Sequence, residues 1–401
     1  MKSNISMFES VALFEKQSQD CGAIIDQFPK EFDLGADIEI IKTLSFPGKM
    51  KESLSTIHVF NTENYYCHSW AFYFNEKEYS IVIITSAFRP CLYTNFLDAV
   101  RKSFQEDNDS DQLCRYGFVC SLLQSWTLDD DSNLIANYPI QSFSINLNEV
   151  ENWTQSFDVS PMSTFIEHVW KSIVSGSGIL IIGDTAEIAS NAVLASLSLI
   201  EPLRYLDPIL IYTKRGDPRF DEILSGSTNY KIVGTTETEL PFIKTQFELV
   251  ARIPDQYFAP CPELQEQFQQ KTVRLFSVIM GTMNHCLMTD PYYDILEKPI
   301  TQITATSTSI PLTKSFFDEL QRTNTFIKWR KRKIIRDQLR AAFLSVPPEE
   351  AIDGIDDNSL EKAKEELQRI YNSFEGDEHF RTVLKIHMKQ VSKRIRSRDS
   401  T

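Results

Sequence analysis

A run of four aliphatic residues, Ile179–Ile182, lies between two segments with helical periodicity and constrains the fold more than any other feature. The upstream segment repeats apolar residues at i, i+3, i+4, i+7, i+8, i+11 and i+12, which is typical of a buried helix face. These residues are Met162, Phe165, Ile166, Val169, Trp170, Ile173 and Val174. Gly176 and Gly178 end that helix, and the small-residue segment 186–200 predicts a second one. A short strand that is apolar on both faces belongs in a parallel sheet covered by helices.

Three more short strands are expected after this helix, with helix or turn between them, at 209–212, 230–233 and 248–253. Alternation of strand and helix indicates an α/β arrangement with a mostly parallel sheet. We expect this central lobe to span residues 151–258.

The N-terminal part has a different pattern. Apolar runs at 11–14 and 22–25 flank a polar turn, which predicts a β-hairpin. Further elements are expected at these positions: strands 67–74, 79–85 and 142–147, and helices 92–104 and 112–125. This α+β layout predicts an antiparallel sheet with helices over residues 1–150. The acidic, turn-rich run Asp129–Asn133 is the expected linker to the central lobe.

Residues 259–401 are predicted to be all-helical, which makes the whole chain a multidomain protein of α/β and α+β class. Helices are expected at 314–344, 359–374 and 378–396, separated by Pro347-Pro348 and Gly376. In the last of them, five residues with helical spacing are expected to face inward: Phe380, Leu384, His387, Val391 and Ile395.

Charge is distributed unevenly along the chain. The net charge is −14, yet segments 322–340 and 381–398 each carry +7, so the rest of the chain carries −28. The densest basic run comprises Lys328, Arg330, Lys331, Arg332 and Lys333. Three readings stay open for both segments: a surface helix that neutralises the acidic body, a contact with anionic membrane or an acidic partner, or, least favoured, nucleic acid. An acidic body repels nucleic acid, so no nucleic-acid partner is predicted.

Motifs for covalent chemistry are missing from the sequence. The six histidines show no metal-ligand spacing, and neither a phosphate-binding GxxxxGK[ST] loop nor a GxSxG elbow occurs. We therefore predict no metal, no cofactor and no catalytic residues. Seven scattered cysteines are typical of reduced thiols in the cytoplasm, and no apolar run approaches the ~20 residues of a membrane span.

Residues 178–253 contain a combination of short motifs that is more distinctive than the rest of the sequence. A buried strand and a helix lead to a Leu-Ile-x-Pro-Leu element, then an Asp-x-x-Phe turn and a Val-Gly-x-Thr-like strand end. The matching residues are Leu199, Ile200, Pro202 and Leu203, then Asp217 and Phe220, then Val233, Gly234 and Thr235. This combination resembles the central module of DENN domains. The flanks are similar to the upstream longin-type and downstream modules, and segment 311–343 resembles the sixth class of DENN-domain proteins.

One departure from the DENN pattern follows the glycine strand. The family often has Thr-Asn-Pro-Phe there, whereas this chain reads Thr-Thr-Glu-Thr-Glu-Leu-Pro-Phe over residues 235–242. The asparagine is absent and the Pro-Phe pair is displaced.

The resemblance implies a guanine-nucleotide exchange factor for a Rab-family small GTPase, which docks between the longin and central lobes. Candidate GTPase contacts are Asp217, Phe220, Trp70 and Tyr73, although a turn cap and core packing are the plainer roles for these residues. The expected location is cytoplasmic, peripheral on endosomal or other trafficking membranes. Two alternatives remain: a non-catalytic GTPase-binding scaffold, supported by the displaced Pro-Phe, and a GTPase-activating protein that uses Arg89, since no arginine precedes it.

Overall fold

A computed structural model describes residues 7–18, 21–48, 55–104, 111–148, 153–240, 246–300, 313–333, 336–374 and 376–399. The chain groups into two compact units, Met1–Gln270 and Lys271–Thr401. The predicted boundary within the first unit, near residue 150, and the boundary at 258 stay predictions.

An antiparallel sheet opens the first unit, as the sequence predicts. Its elements are β1 (Ser10–Lys16), β2 (Gly22–Phe28), α1 (Asp37–Leu44), β3 (Thr56–Asn61), β4 (Tyr66–Phe74) and β5 (Lys77–Thr85). The strand order is β2-β1-β5-β4-β3. Helix α1 and strand β3 were not expected from the sequence; both are short, at eight and six residues.

Two helices and a small sheet complete this part of the chain: α2 (Pro90–Ser103), α3 (Gln112–Gln124), β6 (Thr127–Leu128), β7 (Asn133–Asn137) and β8 (Ser142–Asn146). Helices α2 and α3 bury one face of the five-stranded sheet through Phe96, Val100 and Val119. The prediction of a linker at Asp129–Asn133 is wrong. The run is the turn between β6 and β7, where the Asp129 carboxylate accepts bonds from the Asp131 and Asn133 amides at 3.0 and 2.8 Å.

The second sheet contains four strands, all parallel, in the order β10-β11-β9-β12. Its elements are α4 (Ile166–Ser175), β9 (Ile179–Gly183), α5 (Ala186–Ser198), β10 (Ile209–Thr213), α6 (Pro218–Ser225), β11 (Ile232–Thr235) and β12 (Leu249–Ile253). Gly176 ends α4 in the left-handed conformation, at φ 74°, as predicted. The α/β arrangement of this region is confirmed.

Helix α5 joins the two sheets. Its Ser190 hydroxyl accepts a bond from the Val59 amide of β3 at 3.3 Å, and the Glu187 carboxylate lies 3.4 Å from the Ile57 amide. Ala186 and Ala189 on the same helix pack in one apolar cluster with Phe14 and Phe60 of the antiparallel sheet. The small residues of α5 allow this close approach.

Helices make up the C-terminal part: α7 (Pro262–Thr289), α8 (Lys314–Leu320), α9 (Asn324–Lys333), α10 (Arg336–Ser345), α11 (Pro348–Asp353), α12 (Leu360–Ser373) and α13 (Glu378–Arg398). The single helix expected over 314–344 is wrong, since α8 ends and α9 begins around Thr323. The Thr323 hydroxyl accepts a bond from the Phe326 amide at 3.1 Å and so caps α9. The inward face predicted for α13 is confirmed, because all five residues are buried. No helix in the described ranges is long and apolar enough to cross a membrane.

Candidate functional site

Asp217 caps helix α6 from the interior rather than from the surface. Only 1% of the residue is exposed, and its carboxylate accepts bonds from the Arg219 amide, the Arg219 guanidinium and the Thr213 hydroxyl. The closest guanidinium contact, Nη2 to Oδ2, is 2.7 Å. Phe220 is fully buried among the apolar residues of the parallel sheet.

Arg219 carries this network across to the antiparallel sheet. Its Nη1 donates to the Asn61 carbonyl oxygen at 2.7 Å. The Asn61 amide then pairs with strand β10, donating to the Ile209 oxygen at 3.0 Å and accepting from the Ile211 nitrogen at 2.8 Å. Although burial lowers the pKa of Arg219, the hydrogen bonds and charge of Asp217 outweigh it and raise that pKa. We call Asp217, Arg219 and Asn61 the sheet clamp.

Trp70 also lies in the interior. It is 1% exposed and packs against Phe72 at 4.9 Å between ring centroids, with the Arg115 guanidinium over its ring. Tyr73, three residues further along β4, is half-buried and donates a hydrogen bond to Glu78 at 3.4 Å. A docked protein contacts exposed surface, so the contact prediction is corrected for Trp70, Asp217 and Phe220. These three side chains hold the fold together.

The basic residues of α9 also include both a buried and several exposed side chains. Arg330 is buried, with Nη1 donating to the Lys298 oxygen at 2.9 Å and Nη2 lying 3.0 Å from the Asp294 carboxylate. Its guanidinium therefore serves the fold, and its assignment to a membrane contact is corrected. Lys328, Lys331, Arg332 and Lys333 are exposed, and Lys331 lies 3.4 Å from Glu297.

A cleft of about 550 Å³ opens beside the sheet clamp. One wall comes from the end of β3, the turn to β4 and the segment after β5; the other comes from the segment before β10, α5 and the segment before β11. Its aromatic lining residues are Tyr65, Tyr66, Phe88, Tyr205 and Tyr230. Asn61 belongs to both the cleft and the clamp, so the clamp fixes the two walls against each other.

Charged and polar groups surround these rings. Glu63 and Arg204 are exposed and Asp207 is half-buried at the lining. Burial raises the pKa of Tyr66, which the nearby Arg204 charge partly offsets, and burial also raises the pKa of Tyr205. Both phenols therefore stay protonated and neutral at physiological pH. The cleft is thus lined by both aromatic and charged side chains.

The cleft residues were missed in the sequence because their pattern is not periodic. Tyr65 and Tyr66 follow the polar run Thr62–Asn64, and Tyr205 stands between Arg204 and Asp207. Aromatic residues that flank polar turns were the available signal. Arg219 was missed for another reason, since an isolated arginine in a charged segment is normally on the surface.

In the described ranges, no three His, Cys, Asp or Glu side chains lie close enough together to bind a metal ion. Arg89, the candidate for a GTPase-activating finger, is half-buried, with its guanidinium 5.7 Å from the Trp153 ring centroid. No family model matches this chain, and no curated protein matches it either.

Proposed function

We propose that the protein is a DENN-domain exchange factor for a Rab-family small GTPase. The observation that carries the proposal is the cleft of about 550 Å³, because the antiparallel and parallel sheets each supply one wall. In the DENN resemblance, the GTPase docks between these same two parts of the chain. The longin-like character of the N-terminal sheet, and the assignment to the sixth DENN class, belong to the proposal.

The chemistry of the cleft supports a protein partner. Tyrosine and arginine are the residues that most often supply binding energy at protein interfaces, since they combine a large apolar area with polar tips. Tyr65, Tyr66 and Arg204 have exposed or half-exposed surface there. We therefore replace the buried candidates Trp70, Asp217 and Phe220 with these three as the proposed contacts.

Exchange on this surface requires no general base or covalent intermediate. Binding of the exchange factor stabilises the GTPase switch regions in a conformation that binds nucleotide poorly. The proposed setting is the cytosol, with recruitment to endosomal or other trafficking membranes where lipidated GTPases reside. The acidic body of the chain would raise the association rate with a basic patch on the GTPase.

The test is release of fluorescent GDP from a panel of purified Rab GTPases, with Arg204→Glu as the variant. Wild type should accelerate release from one or two members, and Arg204→Glu should lower that acceleration about tenfold. Arg252→Glu is the matched control: Arg252 is also exposed but lies on β12, outside the cleft. It should behave as wild type.

Other outcomes separate the alternatives. Binding of a GTPase without faster release would favour the scaffold, and faster GTP hydrolysis lost in Arg89→Ala would favour the activating protein. Equal loss of exchange in Arg204→Glu and Arg252→Glu would remove the cleft from the proposal.

A further inference from the structure

Two segments of the chain carry +7 each, and the helices they form distribute that charge differently. Successive residues of an α-helix are turned by about 100° relative to each other. In α9 the five cations are nearly consecutive, so they spread around the whole circumference. One of them, Arg330, points into the core, and Lys331 lies beside Glu297. The exposed cations of the densest basic run are therefore divided between two sides of α9, and the Lys331 charge is partly neutralised by Glu297.

Helix α13 places four of its seven cations on one side. Lys385, Lys389, Lys393 and Arg396 are all exposed and are spaced four, four and three residues apart. This spacing places them within about 80° of arc and along about 16 Å of the helix. The five buried residues of α13 lie on the opposite side. We call these four cations the α13 stripe, and it points away from the core of its unit.

Three carboxylates form ion pairs with other arginines of α13. Glu378 lies 3.0 Å from Arg381, Asp357 lies 3.0 Å from Arg394, and Asp399 lies 3.0 Å from Arg398. In the part of the chain that the structure describes, no ion pair involves Lys385, Lys389 or Lys393, and Lys385 rests 5.5 Å from the Tyr371 ring centroid. The charge of these three lysines is thus not cancelled by an ion pair within the described residues.

We propose that the α13 stripe docks the protein on an anionic lipid bilayer. A flat anionic surface complements a straight row of cations, and each lysine near such a surface strengthens binding about fivefold. Lysine is a compact point charge suited to a diffuse anionic surface, whereas nucleic-acid readout favours the arginine fork and aromatic stacking. Ile386, 46% exposed at the edge of the stripe, adds an apolar contact with the interface. This inference does not depend on the proposed GTPase.

The experiment compares two triple charge reversals in the full chain by vesicle flotation. Lys385→Glu, Lys389→Glu and Lys393→Glu are combined in one variant. The control combines Lys328→Glu, Arg332→Glu and Lys333→Glu, which are exposed on α9 and change the net charge equally. The probe is phosphatidylcholine vesicles with and without phosphatidylserine. Circular dichroism checks that both variants remain helical.

Wild type should bind only the vesicles with phosphatidylserine and should release them at high salt. The α13 variant should bind at least about a hundredfold more weakly, while the α9 control stays within about threefold of wild type. Equal losses in the two variants would overturn the proposal, since net charge alone would then explain binding. So would wild type failing to bind anionic vesicles, binding neutral ones as well, or preferring an RNA oligonucleotide over the vesicles.

Discussion

The Asp217 carboxylate shows how a single residue can look functional in the sequence and prove structural in the fold. Its four hydrogen bonds come from Arg219 and Thr213, and Arg219 then bonds Asn61 of the other sheet. An Asp two residues before an Arg gives no indication that both are buried. Since a charge is buried only when it is paired, the two residues depend on each other.

Removing one partner of this pair should destabilise the protein strongly. Asp217→Ala leaves the Arg219 guanidinium buried without its counter-charge, so we expect a loss of about 3–5 kcal/mol in the free energy of unfolding. Asp221→Ala, at an exposed position of the same helix, is the control and should cost at most about 1 kcal/mol. Urea denaturation measures both, and similar losses in the two variants would contradict a buried clamp.

Strand β11 has room only for a glycine at position 234, because β10 and α5 approach it closely. A Cβ at Gly234 would lie 2.3 Å from the Ile211 carbonyl oxygen of β10 and 2.9 Å from a Val193 methyl carbon of α5. Backbone on one side and a buried helix on the other leave no room to relax. Helix α3 is the opposite case, because a Cβ at Gly117 would meet nothing within 4 Å.

The two glycines therefore predict opposite effects of the same substitution. Gly234→Ala should lower the free energy of unfolding by about 1–3 kcal/mol or more, since β10 or α5 must move. Gly117→Ala should raise it by up to about 1 kcal/mol, because alanine is the better helix former. Thermal unfolding of both variants gives the comparison, and a neutral Gly234→Ala would show that the sheet and α5 are not tightly packed.

At the scale of the whole molecule, the buried imidazoles of His58, His68 and His387 make the free energy of unfolding depend on pH. Burial lowers the pKa of His58 and His387 to about 4 and that of His68 to about 3. His58 and His68 lie in the first unit and His387 in the second. Unfolded histidine binds its proton near pH 6.5, so protons favour the unfolded chain. The stability that these groups contribute is complete above pH about 6.5 and declines as the pH falls.

His68 is the sharpest test, because neither of its ring nitrogens has a hydrogen-bond partner among the described residues. Each such group costs about 1.4 kcal/mol per pH unit below 6.5. Between pH about 6.5 and about 4.5, His68→Phe should therefore lose about 2 kcal/mol less than wild type. Urea denaturation at the two pH values measures this, with His168→Phe at an exposed position as control. Equal losses in wild type and His68→Phe would mean that the imidazole is protonated in the fold.

Local sequence patterns were sufficient to predict the strand at Ile179–Ile182, the end of α4 at Gly176 and the inward face of α13. Each depends on neighbours within one or two turns of chain, and burial there repeats with the period of the element. The sheet clamp, the burial of Arg330 and the cleft were beyond that reasoning. Their partners are distant in the chain: Asn61 meets Arg219 across 158 positions. Whether a charged side chain is buried depends on such a partner, and a partner brought together by folding leaves no local pattern.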